Sequence, residues 1–223
     1  METHAEGVAR PLGESRWPPA LALLVFMVLN IAFRVWLPNE GAVRVVWLLP
    51  AVEAVLLAVL IVGPANVRVS RWWVRRVSVS LVVVLVAAAL WATMLLIYDL
   101  IEGVGVTNSP SELLASGGVV WLGNNLAFAL LYWLMDGGGP LGRIGQPMPV
   151  DFAFTQHLSP EVAPEWRPVF LDYLHLGFTN ATAFSPTDVM PLTLRAKYTM
   201  LVQSTVALAL FGLVVARAVN AFT

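Results

Sequence analysis

Five apolar runs divide the sequence, at residues 17–37, 42–62, 77–100, 117–135 and 192–222, and each is long enough to cross a bilayer as a helix. Hydrocarbon offers the backbone no hydrogen-bond partner, so a lipid-exposed run must satisfy its own N–H and C=O groups. A helix does this and a lone strand does not. The valine-rich third run is too long for a barrel strand and lacks alternation. Composition agrees: 58% of the residues are hydrophobic, 12% are charged, and mean hydropathy is +0.76. That is a membrane composition rather than a soluble one.

The chain divides into a polar tail at residues 1–16, a four-span region at 17–135, a loop at 136–167 and a C-terminal unit at 168–223. Arg10 and Arg16 precede the first apolar run, which lacks the cleavage pattern of a signal peptide and reads as an uncleaved span. Arg68, Arg71, Arg75 and Arg76 are interleaved with Trp72 and Trp73, the mark of a membrane–water interface. This patch is a topology anchor or a site for anionic lipid. The net charge of −1 implies no nucleic-acid partner, and the absence of cysteine excludes disulfides and thiolate metal sites. The 136–167 loop, rich in glycine and proline, has the composition of irregular interfacial structure.

The C-terminal unit has three pieces. Residues 168–179 form a short apolar segment opened by Pro168, suited to a helix start but too short to span. Residues 180–188 are polar and broken by Pro186, and a full span follows. Half-helix, non-helical strip and full helix is the order of a re-entrant pore loop. The fold class expected is therefore all-α: a polytopic helical membrane protein of about five transmembrane helices plus a re-entrant pore helix.

The unit resembles the pore module of potassium channels, whose filter runs Thr-x-Gly-Tyr-Gly-Asp after a pore helix. The matching positions are Thr182, Ala183, Phe184, Ser185, Pro186, Thr187 and Asp188, and the likeness continues through Pro191–Leu194 and the Phe211-Gly212-Leu213-Val214 of the last helix. The chain also resembles a bacterial family of five-span membrane proteins with a pore-like C-terminal end, which brings no activity with it. Ser185 and Thr187 stand where the filter has glycines, and Pro186 stands at its tyrosine. Glycine permits backbone angles that other residues resist, and proline fixes φ and has no N–H. A stack of potassium-selecting carbonyls is not expected from this strip. In the channel family the position of Gly212 lies near a hinge; close helix packing is the other reading of that glycine.

Four intramembrane polar residues stand out. Glu53 lies mid-span, where an ionisable group is costly: it is a functional group or a neutral carboxyl hydrogen-bonded inside the bundle. Asn124 and Asn125 interrupt the fourth run, one expected to bond across helices or to line a polar path. Gln203 interrupts the last run, beside Ser204 and Thr205. Asp172 and His175, three apart on one helix face, could bind a metal or relay a proton, but no second histidine is near and packing is the commoner role. The sequence shows no phosphate loop, nucleophile elbow or metal-ligand cluster, so no catalytic residue, metal or cofactor is expected.

The sequence thus points to a multi-pass protein of the cell membrane, a bacterial inner membrane by its resemblance. Its expected partners are the lipid bilayer, three further copies in a homotetramer, and monovalent cations. The expected function is an ion-channel-like protein with a degenerate filter, weakly selective for cations through the Asp188 ring. The alternative is a non-conducting structural or accessory protein that keeps the pore fold. With a cytoplasmic N-terminus, only Arg34, Arg44 and Arg217 of the 13 Lys and Arg residues fall outside, which puts the pore loop on the cytoplasmic side. The potassium-channel resemblance implies the opposite side.

Overall fold

The computed structural model describes residues 14–36, 48–62, 71–102, 110–140, 142–143, 149–159, 161, 166–182 and 188–222. They form α1 (Trp17–Trp36), α2 (Leu48–Val62), α3 (Arg71–Glu102), α4 (Pro110–Met135), a 3-10 turn (Asp136–Gly138), β1 (Phe152–Phe154), α5 (Thr155–Leu158), α6 (Phe170–Thr182), β2 (Val189–Pro191) and α7 (Leu194–Phe222). The protein is mostly helical. Among the described residues, three helices are long and apolar enough to cross a membrane: Arg75–Glu102, Pro110–Gly138 and Leu194–Val219. The apolar stretches of α1 and α2, Trp17–Val28 and Pro50–Val59, are shorter.

Several boundaries differ from the sequence reading. α3 and α4 start earlier than the apolar runs they contain, because backbone hydrogen bonding continues beyond the hydrophobic stretch. α4 begins at Pro110, where the missing N–H costs nothing, and carries Glu112 in its first turn, on the positive end of the helix dipole. α6 runs on through Asn180, Ala181 and Thr182, which the sequence assigns to the non-helical strip. The hydroxyls of Thr179 and Thr182 bond back to the carbonyls of His175 and Phe178, which lets a polar side chain sit in the helix without an outside partner.

α4 is the central helix. Fourteen of its residues are buried, and it packs against α1, α3, α6 and α7. A helix apolar on all sides belongs inside a bundle. Its glycines let neighbours approach: a Cβ on Gly123 would lie 2.5 Å from Cζ of Phe26 on α1, and one on Gly117 would lie 2.9 Å from Cγ2 of Val214 on α7. The larger core joins α1, α2, α3, α4 and α6 around Phe128, Tyr132, Trp133, Phe170 and Tyr173. A smaller core gathers Leu96 and Leu100 of α3, Leu113 of α4 and Leu210, Val214 and Ala218 of α7. It ties the C-terminal ends of α3 and α7 to the N-terminal end of α4.

The loop after α4 is more ordered than its composition predicts. Gly137, Gly138 and Gly139 have φ of 56°, 78° and 82°, in the left-handed region that side chains resist. This run turns the chain sharply out of α4, and the Gly139 amide bonds the Asp136 carbonyl at 2.8 Å. β1 then pairs antiparallel with β2, with Phe152 opposite Pro191, Ala153 opposite Met190 and Phe154 opposite Val189. An all-α expectation misses this small sheet, because each strand is three residues long and too short to show a period.

Candidate functional site

α6 is held against α4 and α7 by a buried polar knot centred on Gln203. The Tyr132 hydroxyl donates to Gln203 Oε1 at 2.6 Å, and Asn180 Nδ2 donates to the same oxygen at 2.8 Å. Gln203 Nε2 donates to the Gly177 carbonyl at 3.0 Å and to Asn125 Oδ1 at 3.4 Å. Asn180 Nδ2 also reaches the Met200 carbonyl at 3.0 Å. Gly177 makes the approach possible, because a Cβ there would meet the Asn125 carbonyl oxygen at 3.2 Å. Both asparagines of α4 bond across helices, where one was expected to. Asn124 Nδ2 donates to Thr93 Oγ1 of α3 at 2.6 Å. The amide of each asparagine also bonds a carbonyl one turn back, Val120 or Trp121.

A second polar layer closes the same end of the bundle, around two fully buried carboxylates. Asp136 accepts from the Asp151 amide at 2.6 Å, the Phe152 amide at 3.3 Å and the Tyr173 hydroxyl at 2.6 Å. Asp151 accepts from Arg195 Nε and Nη2, each at 2.6 Å, and from the Thr193 hydroxyl at 2.6 Å. This is a forked Arg–carboxylate pair, the stronger kind. Arg143 lies over the Tyr173 ring, 5.2 Å from its centroid. Burial pushes the Tyr173 phenol well above its ordinary range, so it remains a hydrogen-bond donor. The sequence reading missed Asp136, Asp151, Tyr132 and Tyr173. The one signal available was an aspartate placed between an apolar run and three glycines.

The chain re-emerges at this layer directly after the pore-like strip. Asp188 Oδ2 lies 2.9 Å from His175 Nε2, its carbonyl accepts from the Thr155 amide at 3.2 Å, and β2 follows. Asp172 and His175, which share a helix face, do not pair with each other. Asp172 Oδ2 instead accepts from the Val169 amide at 2.7 Å and caps the start of α6, while His175 turns to Asp188. Asp172, His175 and Asp188 line a cleft of about 190 Å³ with Thr155 and Gln156. Among the described residues no three His, Cys, Asp or Glu side chains are grouped to hold a metal ion.

Of the filter-like positions, Ala183, Phe184, Ser185, Pro186 and Thr187 lie outside the described residues. Thr182 is exposed at the end of α6, and Asp188 is partly exposed in the cleft. Glu53 of α2 is fully buried, with Oε1 accepting from Asn30 Nδ2 of α1 at 3.0 Å. This contact stitches the first two helices together and shares no residue with the α6 site. Gly212 sits on an exposed face of an unbroken α7, with nothing within 4 Å of a Cβ built there. Gly212 therefore makes no close packing contact with the described residues. No family model matches the chain, and searches of curated proteins and of solved structures return no match.

Proposed function

We propose that the chain is a channel-like protein of the cell membrane with five spans, in which α6 and the residues after it form a re-entrant hairpin. The observation that carries this reading is the position of Asn180. α6 has 13 residues and is about 20 Å long, short of the roughly 30 Å hydrocarbon layer. Its far end is fixed to Met200 and Gln203 of α7, while Asp188 is already back beside His175, halfway along the helix, and beside Thr155, next to the β1–β2 pair. A helix that descends and a chain that returns on the same side is the topology of a pore loop.

Charge and exposure extend the reading. Arg16, Arg143 and Arg195 lie at the end where α1, α6 and α7 begin, and Arg217 lies near the other end. The positive-inside rule then makes the mouth of the hairpin cytoplasmic. The exposed Thr182 and His175 and the partly exposed Asp188 would be costly against lipid. Four copies around an axis would turn them toward a shared aqueous path. Hydroxyls and a carboxylate ring hold partly hydrated cations and discriminate poorly between sodium and potassium.

The test is a reversal potential measured on purified protein in a planar bilayer under a sodium–potassium gradient. The expected result is a weakly selective cation current that Asp188→Asn reduces, from a protein that native mass spectrometry shows as a tetramer. A reversal at the potassium equilibrium potential overturns the degenerate-filter reading. No current from an intact tetramer favours the accessory role, and a monomer under gentle extraction removes the shared axis.

A further inference from the structure

Glu14, just ahead of α1, makes contacts of very long sequence range, to Trp133, Arg143 and Phe170. Trp133 Nε1 donates to both of its carboxylate oxygens at 2.9 Å. Arg143 Nη2 donates to Oε2 at 2.9 Å, and the Phe170 amide at the start of α6 donates to Oε1 at 2.6 Å. The two charged side chains are nearly buried, with 9% exposure for Arg143 and 11% for Glu14. Arg143 is itself fixed by the Trp133 and Asp136 carbonyls, both at 3.0 Å. An indole, a guanidinium and a helix-end amide, drawn from α4, the following loop and α6, therefore converge on one carboxylate. The positive end of the α6 dipole adds to the attraction.

We propose that Arg143, Trp133 and the Phe170 amide form a carboxylate-binding site, and that Glu14 is its resident ligand. The donors do not depend on the tail for their placement. Trp133 and Phe170 belong to the main core and stack edge-on at 5.9 Å, and Arg143 is held by backbone carbonyls. The site therefore persists when Glu14 is gone and takes a small carboxylate from solution. In the native protein it clips the segment before the first helix onto the head of α6. Displacement of Glu14 frees that segment and removes the cap on α6, whether or not the protein conducts.

The test uses the full chain in detergent. Glu14→Ala is expected to lower the thermal midpoint by about 3–6 °C. Sodium formate should restore at least half of that loss with saturation, while sodium chloride at equal ionic strength should not. Formate should have no such effect on the Glu14→Ala/Arg143→Ala double variant. An unchanged midpoint in Glu14→Ala overturns the proposal, and so does equal rescue by chloride or rescue that survives loss of Arg143. Should Glu14→Ala not fold, Glu14→Gln is compared with the native chain by trypsin cleavage at Arg16. Several-fold faster cleavage supports the clip, and an equal rate overturns it.

Discussion

The Tyr132 hydroxyl of α4 and the Gln203 side chain of α7 meet at 2.6 Å, and the oxygen they share also accepts from Asn180 of α6. One side-chain amide thus joins three helices. Gln203 uses its oxygen twice and its nitrogen twice, on partners that are all buried, so the contact has strong geometric demands. A half-satisfied network is worse than an apolar one, which makes the knot sensitive to any single loss.

Gln203→Leu should therefore be among the most damaging single changes in α7. It strands Asn125 Oδ1, and removes one partner each from the Tyr132 hydroxyl, Asn180 and the Gly177 carbonyl. With each stranded buried group costing about 1–3 kcal/mol, the total loss should be about 3 kcal/mol. Equilibrium unfolding in mixed micelles measures it. A loss under about 1 kcal/mol, closer to the average interhelical bond in membranes, would show that water or neighbours replace Gln203.

Asp151 and Arg195 should respond unequally to truncation. Asp151 is fully buried, whereas the Arg195 side chain is 57% exposed. Arg195→Ala leaves a buried carboxylate with only the Thr193 hydroxyl and no cation, while Asp151→Ala leaves a hydrated guanidinium. Arg195→Ala is expected to cost more, by about 1–2 kcal/mol. Chemical denaturation of both single variants checks the order, and the reverse order would contradict the burial of Asp151.

Much of the fold was legible because bilayer-length apolar runs admit few structures. The short helix α6 could be read from the apolar segment opened by Pro168. The sites were legible only in part. Gln203, Asn124 and Asn125 stand out as polar residues in apolar runs, but nothing in their spacing states that they share partners. Asp136 and Asp151 were hidden because they sit in loop-like sequence, and their burial comes from the β1–β2 pairing and the glycine turn. Asn180 was read as strip rather than helix because its polarity masks its place on the buried face of α6.

Glu53 and Asn30 give a graded pair of variants. Glu53→Gln keeps an oxygen for the Asn30 amide, and Glu53→Leu leaves that buried amide without it. Glu53→Gln should therefore retain more stability, by about 1–2 kcal/mol. Thermal unfolding monitored by circular dichroism separates the two. Equal midpoints would show that the Asn30 contact contributes nothing.

Asp99 should behave in the opposite sense. It is fully buried in the last turn of α3, and neither carboxylate oxygen has a hydrogen-bond partner among the described residues. A carboxylate there also opposes the negative end of the helix dipole. Asp99→Asn is expected to match or exceed the native thermal midpoint, because it removes an uncompensated buried acid. A fall of more than about 5 °C would reveal a partner that the static arrangement does not show.

The pairing of β1 with β2 decides how the protein would carry tension. The ladder from Phe152–Pro191 to Phe154–Val189 fastens the chain just before α5 to the chain just before α7. The forked Asp151–Arg195 contact rivets the same junction from the side. A pull between α4 and α7 is thus shared by two fastenings in parallel, the clasp at their loop ends and the Gln203 bonds deeper in the bundle. The connecting backbone through α6 is bypassed by the clasp, and α6 feels the load only through its side-chain bonds to α7.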